Sequence, residues 1–99
     1  MTRPARIRSF RAAMRYLTMT DVPPEEVLER AKRFYGENTR MRLEEETDDS
    51  VSFAGDIGRA TLRVDREHNH TNVHAETDRV VGLDVTDVTK RFLYTLENA

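Results

Sequence analysis

Residues 41–77 have the sequence MRLEEETDDSVSFAGDIGRATLRVDREHNHTNVHAET, in which apolar side chains recur at every second position of four short runs. The alternating apolar residues are Met41 and Leu43, Val51 and Phe53, Ala60, Leu62 and Val64, and Val73 and Ala75. A period of two is typical of strands that bury one face. Turn-forming residues separate the runs at 47–50, 55–58 and 66–72, the last being the longest connection. The stretch predicts a meander of four antiparallel strands.

Another alternating run precedes the meander. Arg15–Thr20 predicts a first strand, with Leu17 and Met19 on one face and the remaining side chains, Tyr16, Thr18 and Thr20, on the other. Before this strand, the spacing of Ile7, Phe10 and Met14 predicts a short helical turn over residues 7–14.

Two amphipathic helices flank the meander. Pro23 and Pro24, followed by two glutamates, predict the start of the first helix, because proline suits the first helical turn. Its apolar stripe contains Val27, Leu28, Ala31, Phe34 and Tyr35, and Gly36 is expected to end it. The second helix is expected to begin near residues 82–84, with an apolar stripe of Val85, Val88, Phe92 and Leu96.

The order of these elements is strand, helix, four strands, helix. It predicts an α+β, two-layer sandwich in which both helices cover one face of an antiparallel sheet of about five strands. The first helix returns the chain to begin the second strand, so the first two strands point the same way. The first strand is then antiparallel to the last, which predicts the spatial order 2-3-4-5-1. We expect one domain over residues 15–99, preceded by a basic arm over residues 1–14.

Charge is distributed unevenly along the 99 residues, whose formal net charge is -2. Residues 1–20 contain five arginines and no acidic residue, whereas the rest of the chain contains 11 basic and 18 acidic residues. A basic arm on an acidic body keeps nucleic-acid contact open as a hypothesis. There is no cysteine, which excludes disulfides and thiolate chemistry. No apolar run approaches the length of a membrane span, so we expect a cytoplasmic protein with no membrane partner.

The element order, together with the Asp21–Val27 entry to the first helix and the amphipathic final helix, resembles a shortened helix-grip domain of the START and polyketide-cyclase-like kind. That resemblance implies an apolar ligand bound between the sheet and the final helix. The side chains expected to line such a site are Phe53, Leu62, Phe92 and Tyr94. The order is also similar to half of a TATA-binding-protein-like fold, whose open sheet face contacts DNA.

The polar residues that are candidates for a functional role also have simpler structural interpretations. His68, His70 and His74 lie within seven residues and invite a metal hypothesis, but a hairpin turn with solvated side chains is the preferred interpretation. Arginines and carboxylates alternate on the outward sheet face and predict a balanced lattice of ion pairs. Alternation places Glu45 on the inward face, where an ion pair or an edge position would accommodate it. Tyr16, Tyr35 and Tyr94 are expected in the core.

No motif in the sequence indicates a catalytic residue, a cofactor or a metal site, and none is predicted. The leading hypothesis is a small binding or assembly module, expected as a homodimer because both edge strands of the sheet need protection. One alternative is a carrier or cyclase-like protein for a small apolar ligand. The other is nucleic-acid contact through the arginine-rich arm, although nucleic acid is not the expected partner.

Overall fold

The computed structural model describes residues 12–79 and 85–97 of the chain. The elements are β1 (Ala12–Thr20), α1 (Pro24–Asn38), β2 (Arg42–Glu46), β3 (Ser50–Gly55), β4 (Gly58–Glu67), β5 (His70–Arg79) and α2 (Val85–Glu97). The five strands form one antiparallel sheet in the order β1-β5-β4-β3-β2. The predicted α+β class and strand order are confirmed. Neither described helix combines the length and apolar character that crossing a bilayer requires.

The helix α1 begins as its sequence predicts and ends later than predicted. The amides of Glu26 and Val27 both donate to the Pro23 carbonyl over 3.0 Å. The predicted end at Gly36 is wrong, because the helix continues to Asn38. Extended Thr39 stops it there, since the amide and hydroxyl of Thr39 both donate to the Tyr35 carbonyl, over 3.1 and 2.6 Å.

Both ends of the sheet differ from the predicted boundaries. The strand β1 begins at Ala12, so the predicted helical turn is wrong for residues 12–14, while residues 7–11 and the rest of the basic arm lie outside the described residues. The connection from β4 to β5 is also shorter than predicted. Glu67 pairs with His70, which leaves only two residues in the turn, and His68 adopts a left-handed φ of 54°. The predicted start of α2 at residues 82–84 lies outside the described residues.

The core lies between one face of the sheet and the two helices. The sheet contributes the predicted alternating side chains, of which Val51, Leu62 and Val73 are fully buried. Val27, Leu28, Ala31 and Tyr35 of α1 and Val85, Phe92, Leu93 and Leu96 of α2 complete one cluster. Both helices therefore cover the same face of the sheet, which we call the inner face.

Over residues 17–20, β1 turns hydroxyl side chains toward the helices, and not the large apolar ones of Leu17 and Met19. Thr18 and Thr20 are each 7 % exposed, whereas Leu17 and Met19 are 60 % and 59 % exposed on the opposite, outer face. Thr20 donates to the carbonyl of Leu96 over 3.0 Å and accepts from the amide of Val22 over 3.2 Å. Carbonyls in the last turn of a helix lack intrahelical donors. The C-terminal turn of α2 thereby selects which face of β1 is buried.

Candidate functional site

The outer face of the sheet carries no helix among the described residues. Its side chains come from alternate positions of each strand: Arg15, Leu17 and Met19 of β1; Asn72, His74, Glu76 and Asp78 of β5; Arg59, Thr61, Arg63 and Asp65 of β4; Ser50, Ser52 and Ala54 of β3; Arg42 and Glu45 of β2. Apart from Leu17 and Met19, every long side chain in this set is polar. The large apolar side chains of the outer face therefore lie together at one edge.

Opposite charges meet across the strands of the outer face. Arg15 Nε lies 3.3 Å from the Glu76 carboxylate, and Arg59 pairs with Glu44. These side chains are between 46 % and 85 % exposed, so each pair contributes only a few tenths of a kcal/mol, on the order of an ordinary surface ion pair. Pairs of this kind set cross-strand register more than they add stability.

A polar network surrounds Asp65 on β4. The Asn72 amide donates to Asp65 over 2.9 Å and to Glu67 over 2.9 Å, and His74 Nε2 lies 2.9 Å from the other Asp65 oxygen. The hydrogen bonds to Asp65 lower the pKa of its carboxyl group below the ordinary value. The bond from Asn72 has the largest effect and the bond from His74 the next largest. The network holds the carboxylate ionised and orients the His74 ring.

The structure does not gather the three histidines into one cluster. His68 lies at the tip of the turn, His70 Nε2 is 3.9 Å from a Glu67 oxygen, and His74 contacts Asp65. Within residues 12–79 and 85–97, no group of three or more potential ligands assembles around a common point.

A shallow groove of about 310 Å³ crosses the outer face next to β1. Arg15, Thr61, Arg63, His74 and Glu76 contribute to its lining. Glu76 pairs with Arg15, and Asp65 lies 3.9 Å from Arg63. Since each arginine already has a carboxylate beside it, the groove has little net charge to attract an anion.

The residues predicted to bind an apolar ligand occupy two different environments. Phe53, Leu62 and Phe92 are buried in the core, at 2 %, 0 % and 1 % exposure. The ring of Tyr35 occupies the space beside them, 4.4 Å from the ring of Phe53 and 6.1 Å from that of Phe92. Tyr94 does not join them, because it is 66 % exposed on the far side of α2. An apolar site among these four residues stays a prediction.

Tyr94 instead borders a groove on the outside of the helix layer. This groove has a volume of about 490 Å³ and is lined by Phe34, Lys90, Arg91, Tyr94 and Thr95. The core position predicted for Tyr94 is wrong for this reason. The helix α2 presents Phe92, Leu93 and Leu96 to the sheet, and its spacing of 3.6 residues per turn places position 94 on the opposite side.

The strand β2 does not keep the alternation that its sequence predicts. Arg42 pairs with Ala54 and Leu43 with Phe53, but the register shifts before Glu45, which pairs with Ser52. The prediction that Glu45 faces inward is therefore wrong, because a bulge rotates it to the outer face. The next residue, Glu46, takes the helix side of the strand and accepts a hydrogen bond of 2.7 Å from Lys32.

The two edges of the sheet are protected very differently. The edge strand β2 is five residues long, bulged and charged at Arg42, Glu44, Glu45 and Glu46. Short length, a bulge and charge are the features by which proteins prevent strand addition at an edge. Lys32 of α1 also reaches over this edge, and its hydrogen bonds to Glu46 and Glu29 raise the pKa of its ammonium group. The β2 edge therefore carries the features that disfavour the addition of another strand.

The opposite edge strand, β1, is neither short nor bulged, and Arg15 is its only charged residue. It is nine residues long, contains no proline, lysine or carboxylate, and continues without a bulge from Ala12 to Thr20. No described strand pairs with the side of β1 that faces away from β5, and we call this side the free edge. Leu17 and Met19 lie along it, and each of these side chains exposes more than half of its surface. This combination makes the free edge the candidate functional site.

The sequence of β1 contains the exposed apolar residues of this site, but its alternation did not predict that they are exposed. Thr18 and Thr20 alternate with Leu17 and Met19, so the pattern is compatible with burial of either face of the strand. No protein-family model, curated protein or solved structure matches the chain. The helix-grip resemblance stays a prediction, as does nucleic-acid contact through the arm.

Proposed function

We propose that this protein is an assembly module that forms a homodimer by pairing the free edge of β1 with the same edge of a second copy. The observation that carries the proposal is the contrast between the two edges of one sheet. A charged and bulged strand of five residues closes one side, while a bulge-free strand of nine residues, whose only charged side chain is Arg15, remains open on the other.

Pairing at the free edge has a clear driving force. Alternate backbone N–H and C=O groups of an edge strand point away from the sheet, and a second strand satisfies them. Each such hydrogen bond replaces bonds to water and contributes a net ~1 kcal/mol. Side-chain burial adds to this, because Leu17 and Met19 expose 60 % and 59 % of their surface in one copy. Covering most of that surface stabilises the complex by roughly 1 kcal/mol per side chain.

The same geometry limits the affinity. An interface made by one strand from each copy is smaller than the roughly 1,600 Å² of a standard protein–protein interface. We therefore expect a reversible dimer with a dissociation constant of about micromolar size. Such a module assembles in response to its own concentration.

Sedimentation equilibrium tests the proposal with two matched variants. Leu17→Lys places an ammonium group at the free edge, and Leu43→Lys places the same group at the β2 edge, where Leu43 is 44 % exposed. We expect the wild-type chain and Leu43→Lys to dimerise and Leu17→Lys to stay monomeric. Circular dichroism checks that both variants keep the fold, which we expect. A wild-type chain that is monomeric at high micromolar concentration refutes the proposal, as does equal weakening by both variants.

A further inference from the structure

The exposed side chains of β1, together with that of Asp21, which follows the strand, are complementary to the same side chains in a second copy related by a two-fold axis. We infer that the two copies pair antiparallel in the register centred on Thr18, so that each Leu17 lies opposite Met19 of the partner subunit and each Arg15 opposite Asp21 of the partner subunit. This inference rests on the proposed homodimer and names its contacts.

Symmetry restricts the registers that are available. Two identical antiparallel edge strands are related by a two-fold axis perpendicular to the sheet. Residues that lie directly opposite each other have their side chains on the same face of the sheet. A register that pairs residue 17 with residue 18 is therefore excluded, because the side chain of residue 17 lies on the outer face and that of residue 18 on the inner face. Every allowed register is therefore centred on a residue. The registers that set both Leu17 and Met19 opposite a position within β1 or directly after it are centred on Tyr16, Leu17, Thr18 and Met19.

Apolar contacts favour the register centred on Thr18. It places Leu17 opposite Met19 of the partner subunit, and the two-fold axis repeats that pair. The register centred on Leu17 joins the two Leu17 side chains but sets both Met19 side chains against arginine. The register centred on Met19 sets both Leu17 side chains against the Asp21 carboxylate. Only the Thr18 register covers all four exposed apolar side chains of the outer face, Leu17 and Met19 of each copy, with one another.

Charges favour the same register independently. Arg15 is 85 % exposed and lies 3.3 Å from Glu76 of its own chain, a single long contact that leaves most of its donors available to water. Asp21 is exposed and follows directly after β1. With Thr18 at the centre, each Arg15 meets Asp21 of the partner subunit, and opposite charges facing each other across strands stabilise a pairing.

The strongest competing register is centred on Tyr16. It overlaps all nine residues of β1 and so gains backbone hydrogen bonds. It also sets both Leu17 side chains against arginine and leaves Met19 opposite residue 13. The side-chain pattern is the principal determinant of strand register, and the Tyr16 register gives neither Leu17 nor Met19 a large apolar partner.

Single-cysteine variants measure the register directly, because the chain has no cysteine of its own. Cα atoms of directly opposite residues lie about 4.5–5.5 Å apart, which suits a disulfide, whereas diagonal neighbours lie about 7–8 Å apart. We expect a mixture of Leu17→Cys and Met19→Cys chains to form a mixed disulfide dimer under mild oxidation. Each variant alone should cross-link at least about fivefold less, since its cysteines are then diagonal neighbours or farther apart.

The other cross-linking outcomes are equally informative. Self-linking of Leu17→Cys, or linking of Arg15→Cys with Leu17→Cys, refutes the Thr18 register while leaving the β1 homodimer in place. A chain that sediments as a monomer refutes both. A dimer in which no β1 cysteine pair cross-links also refutes both, because the copies then meet elsewhere.

A charge exchange supplies a second measurement without disulfide chemistry. Arg15→Glu and Asp21→Arg each create two like-charged contacts in their own homodimer. In a mixture of the two variants, both contacts of the heterodimer are again opposite in charge. We expect each variant alone to dimerise several-fold more weakly than the wild-type chain, and the mixture to recover the wild-type affinity. Failure of the mixture to recover overturns the Arg15–Asp21 contact.

Discussion

The ring of Tyr35 stacks on the ring of Phe53, with the centroids 4.4 Å apart and the planes inclined by 11°. Tyr35 belongs to α1 and Phe53 to β3, so this stack joins the helix to the sheet. The phenol group also reaches α2, where its oxygen lies 2.5 Å from that of Thr89. One buried side chain thus joins three elements of the fold, and its removal has measurable consequences.

Tyr35→Phe is expected to lower the free energy of unfolding by about 1 kcal/mol, because the stack persists while Thr89 loses its hydrogen-bond partner in a buried site. Thr89 and Tyr35 are both fully buried, so water does not replace the lost bond readily. Urea denaturation measures the change. The matched control is Tyr94→Phe on exposed α2 surface, which we expect to change stability by less than about 0.5 kcal/mol. Equal effects of the two variants would contradict the role assigned to Tyr35.

Stability should also fall at alkaline pH because of Tyr35. Burial raises its pKa from 10.0 to about 12, with the Thr89 hydrogen bond acting in the opposite direction. Between these values the unfolded chain ionises while the folded chain stays neutral, so the contribution of Tyr35 is complete below pH 10 and is lost as pH rises toward 12. The loss amounts to about 2–3 kcal/mol over that range. Urea denaturation against pH should show a shallower decline for Tyr35→Phe than for Tyr94→Phe.

Asn72→Ala is expected to raise the pKa of Asp65 toward its ordinary value of 3.8, because the amide of Asn72 is the main group that stabilises the carboxylate. NMR titration of the Asp65 carboxyl carbon measures the shift. A lowered pKa stabilises the folded chain above the ordinary value and ceases to do so as pH falls through the folded value. The variant should therefore lose less stability on acidification. Asn69→Ala, in the neighbouring turn, should leave the Asp65 titration unchanged.

His68→Gly is expected to stabilise the protein by about 1 kcal/mol, because a left-handed conformation costs a residue with a Cβ about that much. His68 has a φ of 54° in the two-residue turn between β4 and β5. Thermal unfolding measures the gain. Asn69→Gly is the control, since position 69 has no positive φ and glycine there only adds freedom to the unfolded chain. A loss of stability in His68→Gly would show that the histidine ring makes contacts that outweigh the backbone cost.

The strands of the meander were predictable because their inner positions differ sharply from their outer ones. Val51, Leu62 and Val73 alternate with charged or hydroxyl side chains, and burying one face of a sheet requires that alternation. Glu45 was placed wrongly for the same reason. A bulge adds one residue to one strand, and the local sequence around Leu43 has no glycine or other feature to announce it.

The periodicities of the chain were sufficient to specify the α+β class, the strand order and most of the core, since a strand or helix buries a face only at its own repeat. The orientation of β1 was not specified in this way, because its threonines and its large apolar residues alternate equally well. Thr20 is buried because a carbonyl in the last turn of α2 needs a donor at that point in space. That contact, made across 76 positions of the chain, leaves Leu17 and Met19 on the exposed face of β1.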